Sequence, residues 1–457
     1  MTRITKYFLT FIFLAGSFIS QGQQKADSAL TLQQCIDIAV KNNLQVRQSD
    51  RNAQSAGIDF RQAKENLLPA ITAGATRSFY QGRGISPVTN AYVNQSQTND
   101  SYGANGSMTL FNGFSLINAI KSASLAYQAG KMDFQAAKDV VVVNIVTNYL
   151  SILDAQDLLS ASKTSFSVQQ QTLDRLKVLE QQGANKAASD FTDQQGQLEG
   201  NRVALINAQN NLDAVKLSLF QLMNIPYQPG TKFEPLNAED LTGNNGADPD
   251  KMYQTALQQF AAVKAATLHR EASEKNVSSV RGQLFPTITF GGGVATAYSN
   301  TAQRSIMIDS TTIFQNIPYN QQLKNNYNSS LYVSLNIPIF TNGYRRNTLS
   351  KAKLNLLNAK DVEENTKTVL KQNIEQAYYN MTAAYKRYQA LQQQVKAYTE
   401  SYRISKIRFD AGVLTSVDLI IAKNNLDGAT YSMISAKYDY FIDSKILDYY
   451  QGKLSLQ

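Results

Sequence analysis

The sequence predicts a mixed α and β membrane protein made of two internal repeats, each with long coiled-coil helices and one β-hairpin. Two patterns predict this fold class. Apolar residues recur every seven positions over four or more heptads, which is typical of coiled coils, and elsewhere the apolar period changes to two, which is typical of strands. Both patterns occur twice, once in each half of the chain, and such self-similarity indicates an internal duplication.

The composition excludes several kinds of site. The chain of 457 residues has one His, one Cys and no Trp, whereas a zinc site, a Cys–His nucleophile pair or a disulfide framework needs more of these residues. We therefore expect no metal and no cofactor. The formal net charge is +9, but Lys and Arg are scattered singly, so this charge indicates a solvated surface and no nucleic-acid partner. Carboxylate chemistry stays open, because Asp and Glu number 35.

The N-terminus has the pattern of a signal peptide over residues 1–22. Arg3 and Lys6 precede an apolar stretch at 7–19, and residues 20–22 offer small side chains at the positions that a signal peptidase contacts. The apolar stretch is too short for a comfortable membrane-spanning helix, and we expect no apolar stretch of 18 residues after it. We expect an exported protein without membrane-spanning helices.

The two predicted repeats cover residues 31–224 and 251–457, and a polar linker at 225–250 joins them. The predicted parts of the first repeat, in order, are a helix at 32–66, a hairpin at 69–111, a helix at 115–182, a tip at 183–190 and a helix at 190–224. The second repeat has its hairpin at 286–340 and its tip at 412–418. The helix at 115–182 contains no Pro and would span about 100 Å at about 1.5 Å per residue. Such a length is typical of a tube or a fibre.

The helical rows of the two repeats correspond. The rows of the first repeat are Ile145, Ile152, Leu159, Phe166 and Leu173, and Phe191, Leu198, Leu205, Leu212 and Leu219. The rows of the second repeat are Ile374, Met381, Tyr388, Val395 and Tyr402, and Leu419, Leu426, Met433, Tyr440 and Leu447. These apolar rows are narrow, and the residues beside them on the helix are small or polar. Each helix can therefore pack sideways on two others while a third face stays exposed to solvent. This favours a hollow helical barrel over a solid bundle.

The hairpins have the alternation of membrane strands. Apolar and polar residues alternate over 102–110 and 331–339, and weaker partner strands are predicted at 72–81 and 287–298. Each strand is about ten residues, the length that a tilted transmembrane strand needs. Polar loops are predicted at 82–100 and 299–326.

Four strands cannot close a barrel in lipid, because open sheet edges leave backbone groups unpaired. The edges must therefore be shared with other chains. Two copies would give eight strands, whose interior is filled by side chains, and three copies would give twelve, the first count that leaves a pore.

Each long helix ends at a glycine that is followed by small residues and an aspartate. Gly183 and Gly412 suit the left-handed position that ends a helix. Ser189 or Asp190, and Ser416 or Asp418, can cap or favour the start of the next helix. A well-capped turn explains these residues completely, so any binding or gating role needs a further argument.

These features together resemble a TolC-type outer-membrane factor over about residues 30–452. The resemblance rests on Leu67-Leu68-Pro69 and Leu284-Phe285-Pro286 before the strands, on Phe111-Asn112-Gly113 and Phe340-Thr341-Asn342-Gly343 after them, and on the two tips. It implies a homotrimer in outer-membrane lipid, with a shared twelve-strand transmembrane β-barrel and a twelve-helix periplasmic α-barrel. It also implies that the tips dock onto a periplasmic adaptor (membrane fusion) protein, which links them to an inner-membrane pump of RND or ABC type. The implied docking residues are Gly183, Ala184, Gly412, Val413 and Leu414.

The resemblance also implies that the second tip lines a closed aperture. Asp418 matches an acidic ring position of the family, and Asp190 matches a position in the network that holds the aperture shut. Two residues depart from the family pattern: Ile421 stands at a second acidic ring position, and Phe409 stands where some members have a Tyr that donates a hydrogen bond. We expect an aperture with less negative charge and fewer hydrogen bonds.

The function expected is that of a passive conduit in efflux or type I secretion, with no enzyme activity. One alternative is an enzyme that uses a pair of carboxylates, although no phosphate-binding loop or His base accompanies them. The other is a periplasmic coiled-coil scaffold or adaptor without a pore. The hairpins distinguish a conduit from a scaffold, because a scaffold has no reason to carry four alternating strands of transmembrane length.

Overall fold

The computed structural model describes residues 29–85, 90–181, 188–235, 248–308 and 311–452. The chain divides into two compact units. We call Met1–Asp50, Asp133–Val263 and Thr366–Gln457 the helical unit, and Arg51–Met132 and Lys264–Asn365 the strand unit. The predicted signal peptide at 1–22 lies outside the described residues.

The helical unit is built from segments of long helices that pack through their heptad rows. Its elements are α1 (Leu32–Asn42), the first turns of α2 (Leu44–Glu65), most of α3 (Ser115–Gln181), α4 (Ala188–Leu222), α5 (Pro249–Gln259), much of α8 (Tyr344–Asp410) and α9 (Ser416–Tyr450). Every residue of the four predicted rows is buried or half-buried. Ile145, Ile152 and Ile374 are fully buried in one extended apolar cluster. The seven-residue period therefore identifies the packed faces correctly.

The predicted helix at 32–66 is wrong at one position, because the chain breaks at Asn43. The backbone of Asn43 is extended, and its side-chain oxygen accepts hydrogen bonds from the backbone N–H groups of Gln45 at 2.9 Å and Val46 at 3.1 Å. These are the free donors at the start of a helix, and an Asn at this position satisfies them. Asn43 thus ends α1 and caps α2.

The expectation that no apolar stretch of membrane-spanning length follows the signal peptide is also wrong. Within the described residues, α3 contains an 18-residue window with a mean hydropathy of 1.3, and 39% of that window is buried. By length and composition alone this helix could cross a membrane. The core helix of a soluble protein passes the same test, and α3 contributes Ile145, Tyr149 and Ile152 to the apolar cluster of the helical unit.

The strand unit contains a four-stranded antiparallel sheet in the order β1-β2-β3-β6. The strands are β1 (Ala70–Ile85), β2 (Tyr92–Phe111), β3 (Thr287–Ser299) and β6 (Asn328–Asn336). β1 has 16 residues and β2 has 20, so the prediction of ten-residue strands and of a loop over 82–100 is wrong. Most of the additional residues are polar, and they lack the apolar alternation that marks a membrane-facing strand.

The predicted loop at 299–326 contains three further elements. β4 (Gln303–Ile308) pairs with β5 (Thr311–Asn316), and α7 (Tyr319–Asn325) follows them. The buried side chain of Gln322 holds α7 to the end of β3, because it accepts from the backbone N–H of Ser299 at 2.8 Å and donates to the backbone carbonyl of Ser299 at 3.0 Å. A polar residue thus provides the anchor, which the apolar pattern could not indicate.

The Phe-Asn-Gly motif has a structural role at the junction of β2 and α3. Gly113 has a left-handed backbone with φ of 64°. A Cβ at this position would lie 2.4 Å from the carbonyl oxygen of Gly282 in α6 (Ala261–Gly282). Both the turn and the close approach of two backbones therefore require glycine.

Candidate functional site

The second tip is a tight turn that joins α8 to α9. Gly412 has φ of 76°, its N–H bonds to the carbonyl of Phe409 at 3.0 Å, and the N–H of Val413 bonds to the carbonyl of Arg408 at 2.9 Å. This pair of bonds is the Schellman arrangement, in which glycine takes the left-handed position. Val413 is exposed and Leu414 is half-buried. The turn therefore presents backbone and one apolar side chain to solvent.

Thr415 caps α9, a role that the sequence analysis assigned to Ser416 or Asp418. The Thr415 hydroxyl accepts from the backbone N–H of Asp418 at 3.2 Å and donates to the Asp418 carboxylate at 2.6 Å. The carboxylate lies in the first turn, where the helix dipole favours negative charge. Asp418 is exposed on the surface of the chain.

Asp190 holds the start of α9. Its carboxylate accepts from the backbone N–H of Ser416 at 3.3 Å, and neighbouring Asp193 accepts from the Ser416 hydroxyl at 3.4 Å. Ser416 is buried, Asp190 is half-buried and Asp193 is exposed, so these bonds connect the start of α4 to the first turn of α9 at the edge of the packed helices. No sequence pattern indicates Asp193 or this contact, because the partners belong to different repeats and lie far apart in the sequence.

Phe409 and Ile421 have different surroundings. Phe409 is 4% exposed and packs in a small apolar cluster with Leu176 of α3 and Leu419 of α9. Ile421 is exposed on α9, as Val417 and Asp418 are. The exposed stripe of α9 near the tip thus carries one acid between two aliphatic side chains.

Most of the first tip, residues 183–187, lies outside the described residues. Gly183 and Ala184 fall within 182–187, so their expected docking role stays a prediction. The described residues of this tip begin with Ala188 at the start of α4.

A buried polar network joins α9 to α3 and α4 above the tip. Lys423 is 6% exposed, and its ammonium group donates to the Asp427 carboxylate and to the Ser165 hydroxyl at 3.1 Å. Ser165 in turn donates to Asp427 at 2.6 Å and accepts from Asn201 at 3.3 Å. This network is not among the predicted sites. The sequence signal that could have indicated it is the spacing of Lys423 and Asp427, four residues apart on one helix.

A second charged cluster lies further along the helical unit. Asp157 of α3 accepts from Lys437 at 3.3 Å and from the Tyr438 hydroxyl at 2.8 Å. Burial raises the pKa of Asp154 to about 6, and the negative charges of Asp439 and Asp157 add to the effect. Burial likewise raises the pKa of Asp443 to about 6, with a contribution from Asp439. Among the described residues no group of His, Cys, Asp or Glu is arranged to hold a metal ion.

The sheet of the strand unit has one apolar and one polar face. The pairing places Ile71, Gly106, Gly292 and Leu331 in one row across the four strands, and Met108, Phe290 and Val333 in another. The rows between them are polar: Thr72, Asn105, Gly293 and Ser330, and Thr109, Thr289 and Ser334. The apolar face is open, since Ile71 is 75% and Leu331 is 79% exposed. An exposed apolar band opposite a polar face is the pattern of a membrane barrel.

The apolar band ends at an ion pair and a group of tyrosines. Arg77 of β1 donates two hydrogen bonds of 2.6 Å to the carboxylate of Asp100 on β2. The hydroxyl groups of Tyr102 and Tyr319 lie 2.7 Å apart beside this pair. Aromatic and charged side chains at the end of an apolar band are typical of the boundary between lipid and water.

The described sheet has two unpaired edges, which are the outer edges of β1 and β6. Such edges present free backbone N–H and carbonyl groups. In lipid each of these groups must find a partner, and no further strand among the described residues pairs with either edge.

Comparison with known proteins places these features in one family. The family described as "Outer membrane efflux protein" matches residues 35–224 and 252–452. The chain is 22% identical to the outer membrane protein TolC of Escherichia coli over 452 residues, which cover 95% of this chain and 85% of that protein.

Two solved structures are similar in fold. A structure of CusC, from work on its folding and transmembrane channel formation, has a TM-score of 0.79 at 15% identity and covers 95% of each chain. The CmeC outer membrane channel of Campylobacter jejuni has a TM-score of 0.78 at 18% identity and covers 95% of this chain and 91% of that one. These similarities confirm the predicted mixed α and β fold, with its long helices and transmembrane strands.

The family match covers most of the chain and falls in two stretches, as an internal duplication would give. The resemblance to TolC-type proteins is confirmed, and with it the outer membrane as the location and efflux as the process. We conclude that this chain belongs to the outer membrane efflux protein family.

Proposed function

We propose that three copies of this chain form the exit duct of a tripartite efflux or type I secretion system. The observation that carries the proposal is the four-stranded sheet with an exposed apolar face and two free edges. Three such sheets, joined edge to edge, give a closed barrel of twelve strands with its polar face toward a pore. The duct makes and breaks no bond, and its energy comes from a pump in the inner membrane.

The tips are the surface that a periplasmic adaptor protein binds in this proposal. The turn at Gly412 exposes backbone with no side chain of its own, and a Cβ built there meets no atom within 4 Å. Val413 supplies an exposed aliphatic side chain beside it. A partner can therefore approach the backbone closely at this point. We assign the same role to Gly183 and Ala184 by the correspondence of the two repeats.

Asp418 forms the constriction of the duct in this proposal, with three carboxylates around one axis. The exposed position of Asp418 on α9 and its orientation by Thr415 support this role. A ring of carboxylates attracts cations. Asp190 keeps α9 against α4, and Ile421 supplies no second ring of charge.

Membrane fractionation tests the proposed function against the alternative of a periplasmic scaffold. The full chain, expressed in a Gram-negative host, should stay with the outer membrane after washing with salt and carbonate and should dissolve only in detergent. In planar bilayers the purified protein should conduct ions. Release by carbonate, or the absence of any conductance, would contradict the proposal.

A further inference from the structure

The two hairpins pair in the same register. In the first hairpin Ala70 lies opposite Ser107, and in the second Thr287 lies opposite Asn336. In the sequence, Ala70 corresponds to Thr287 because both follow the matched prolines, and Ser107 corresponds to Asn336 because both lie four residues before the matched phenylalanines at 111 and 340. The duplication seen in the sequence thus holds residue for residue in the sheet.

The pairing of β2 with β3 is the junction between the two repeats, because β2 is the last strand of the first repeat and β3 is the first strand of the second. At this junction Asn105 lies opposite Gly293. In a closed ring of identical chains the equivalent junction joins β6, the last strand of one copy, to β1, the first strand of the next. These are the two strands with free edges in the described sheet.

We infer that β6 pairs with β1 of the neighbouring copy in the register of the β2–β3 junction. Asn105 corresponds to Ser334 and Gly293 corresponds to Thr76, so Ser334 lies opposite the neighbour's Thr76. This inference rests on the proposed function, in which several copies close one barrel. The adjacent pairs are Leu335 with Ala75, Val333 with Arg77, Tyr332 with Ser78, and Leu331 with Phe79.

The polarity of the side chains agrees with this register and excludes a slip of one residue. Leu331 is 79% and Phe79 is 77% exposed in the protomer, and in this register these two apolar side chains lie opposite each other on the lipid face. Ser334 and Thr76 lie opposite each other on the polar face. A slip of one residue would place apolar side chains opposite polar ones and turn one strand over. Arg77 is already paired with Asp100 on its own copy.

Disulfide cross-linking tests the register. A disulfide needs Cα atoms within about 4.4–6.8 Å, and directly opposite residues of an antiparallel pair lie about 4.5–5.5 Å apart. The variant with Thr76→Cys and Ser334→Cys, oxidised mildly in membranes, should give covalent dimers and trimers that a reductant separates. The only native cysteine, Cys35, is buried, so either single variant should stay uncross-linked.

Two control pairs keep Ser334→Cys and move the cysteine on β1 by two positions, so that it stays on the same face of the sheet. They are Ser78→Cys with Ser334→Cys, and Gly74→Cys with Ser334→Cys. Diagonal neighbours lie about 7–8 Å apart, so these controls should cross-link at least about tenfold less. A second test pair, Phe79→Cys with Leu331→Cys, should cross-link as the first does and guards against a local folding defect.

The outcomes separate this inference from the proposed function. Light scattering in detergent first establishes the number of copies for each reduced variant. Trimers that cross-link through a slipped pair, or through neither test pair, would overturn the register and leave the trimeric duct in place. Monomers would overturn the duct itself. Trimers that cross-link through both test pairs support the register.

Discussion

The strand unit and the helical unit differ in the exposure of their apolar side chains. The strand unit leaves Ile71 and Leu331 largely exposed, whereas the helical unit buries Ile145, Ile152 and Ile374 completely. Burial of apolar area within one chain can therefore stabilise the helical unit. In the proposed duct, the strand unit has lipid on its apolar face and another chain at each edge.

Polar residues show no such difference. The helical unit buries charged and polar groups such as Lys423, Ser165 and Gln194 between its helices, and hydrogen bonds satisfy most of them. The strand unit also buries polar groups, among them Asp100 beside Arg77 and Glu363 beside Arg270. The two units therefore differ in their exposed apolar side chains and not in their buried polar ones.

The largest expected effect comes from a charge on the lipid face of the strand unit. Val333→Arg places a cation in the apolar band, at a cost of about 2–4 kcal/mol near the middle of a bilayer, repeated in every copy. We expect loss of assembly into the outer membrane, measured by fractionation and resistance to carbonate. Ser334→Arg, at the next position on the polar face, should assemble normally. Equal behaviour of the two variants would contradict the assignment of the faces.

The next effect separates docking from folding at the tip of the helical unit. Gly412→Leu should abolish export while trimers still assemble, because the side chain blocks approach of the adaptor and opposes the left-handed backbone. Gly412→Asn tolerates that backbone and should keep part of the export. Export rates in cells and the mass in detergent measure the two properties. Normal export by Gly412→Leu would remove this tip from the docking surface.

Asp418 and Asp190 should differ although both are acids at the tips. Asp418→Asn should remove most of the cation preference and the cation block of single-channel current, because Ile421 leaves no second ring of charge. Asp190→Asn should instead raise the conductance, because it frees the start of α9 from α4. Planar bilayer recordings measure both. If Asp418→Asn left selectivity and block unaltered, the constriction would have to lie elsewhere.

The buried network of the helical unit should contribute more to stability than an exposed ion pair. Lys423→Ala leaves Asp427 without its buried partner, and breaking such a pair typically costs about 3–5 kcal/mol. Arg403→Ala, which breaks the exposed pair with Glu400, should cost less than about 1 kcal/mol. Thermal unfolding in detergent compares the two variants. Similar losses would contradict the importance of the buried network.

The smallest effect is a dependence of stability on pH in the helical unit. Asp154 and Asp443 have pKa values raised to about 6. Between the ordinary pKa of an aspartate and about pH 6, the folded state therefore binds more protons than the unfolded state. Their contribution to stability is therefore greatest at low pH and decreases as pH rises through this window. The double variant Asp154→Asn with Asp443→Asn should be more stable than the wild type at pH 7, by about 2 °C in melting temperature. At pH 4 the difference should vanish, and a constant difference would contradict these pKa values.

The sequence predicts the periodic parts of the fold and misses contacts that polar side chains create. Heptad rows identify the packed faces of α3, α4, α8 and α9, and the period of two identifies the transmembrane part of the strands. The break at Asn43 and the anchor at Gln322 follow from single polar side chains that bond to nearby backbone, and no periodic pattern records them. The extensions of β1 and β2 beyond the apolar band carry no apolar alternation, so the sequence wrongly predicts a loop there.

The candidate site divides in the same way. Resemblance to the family predicts roles for Gly412, Asp190 and Asp418, and these stay predictions. The cap at Thr415 is a local contact that a capping pattern could have given. The bond from Ser416 to Asp190 and the contact of Lys423 with Ser165 each join a segment of one repeat to a segment of the other. Only the folded arrangement of the helices brings these residues together.

The number of copies in the native protein tests the central claim most directly. The full chain should be extracted from outer membranes in mild detergent and its protein mass measured by light scattering with correction for bound detergent. The claim that the free edges of β1 and β6 close one shared barrel predicts three copies, which give twelve strands. A monomer in mild detergent would contradict it, because the two free edges of a four-stranded sheet cannot both remain unpaired in lipid.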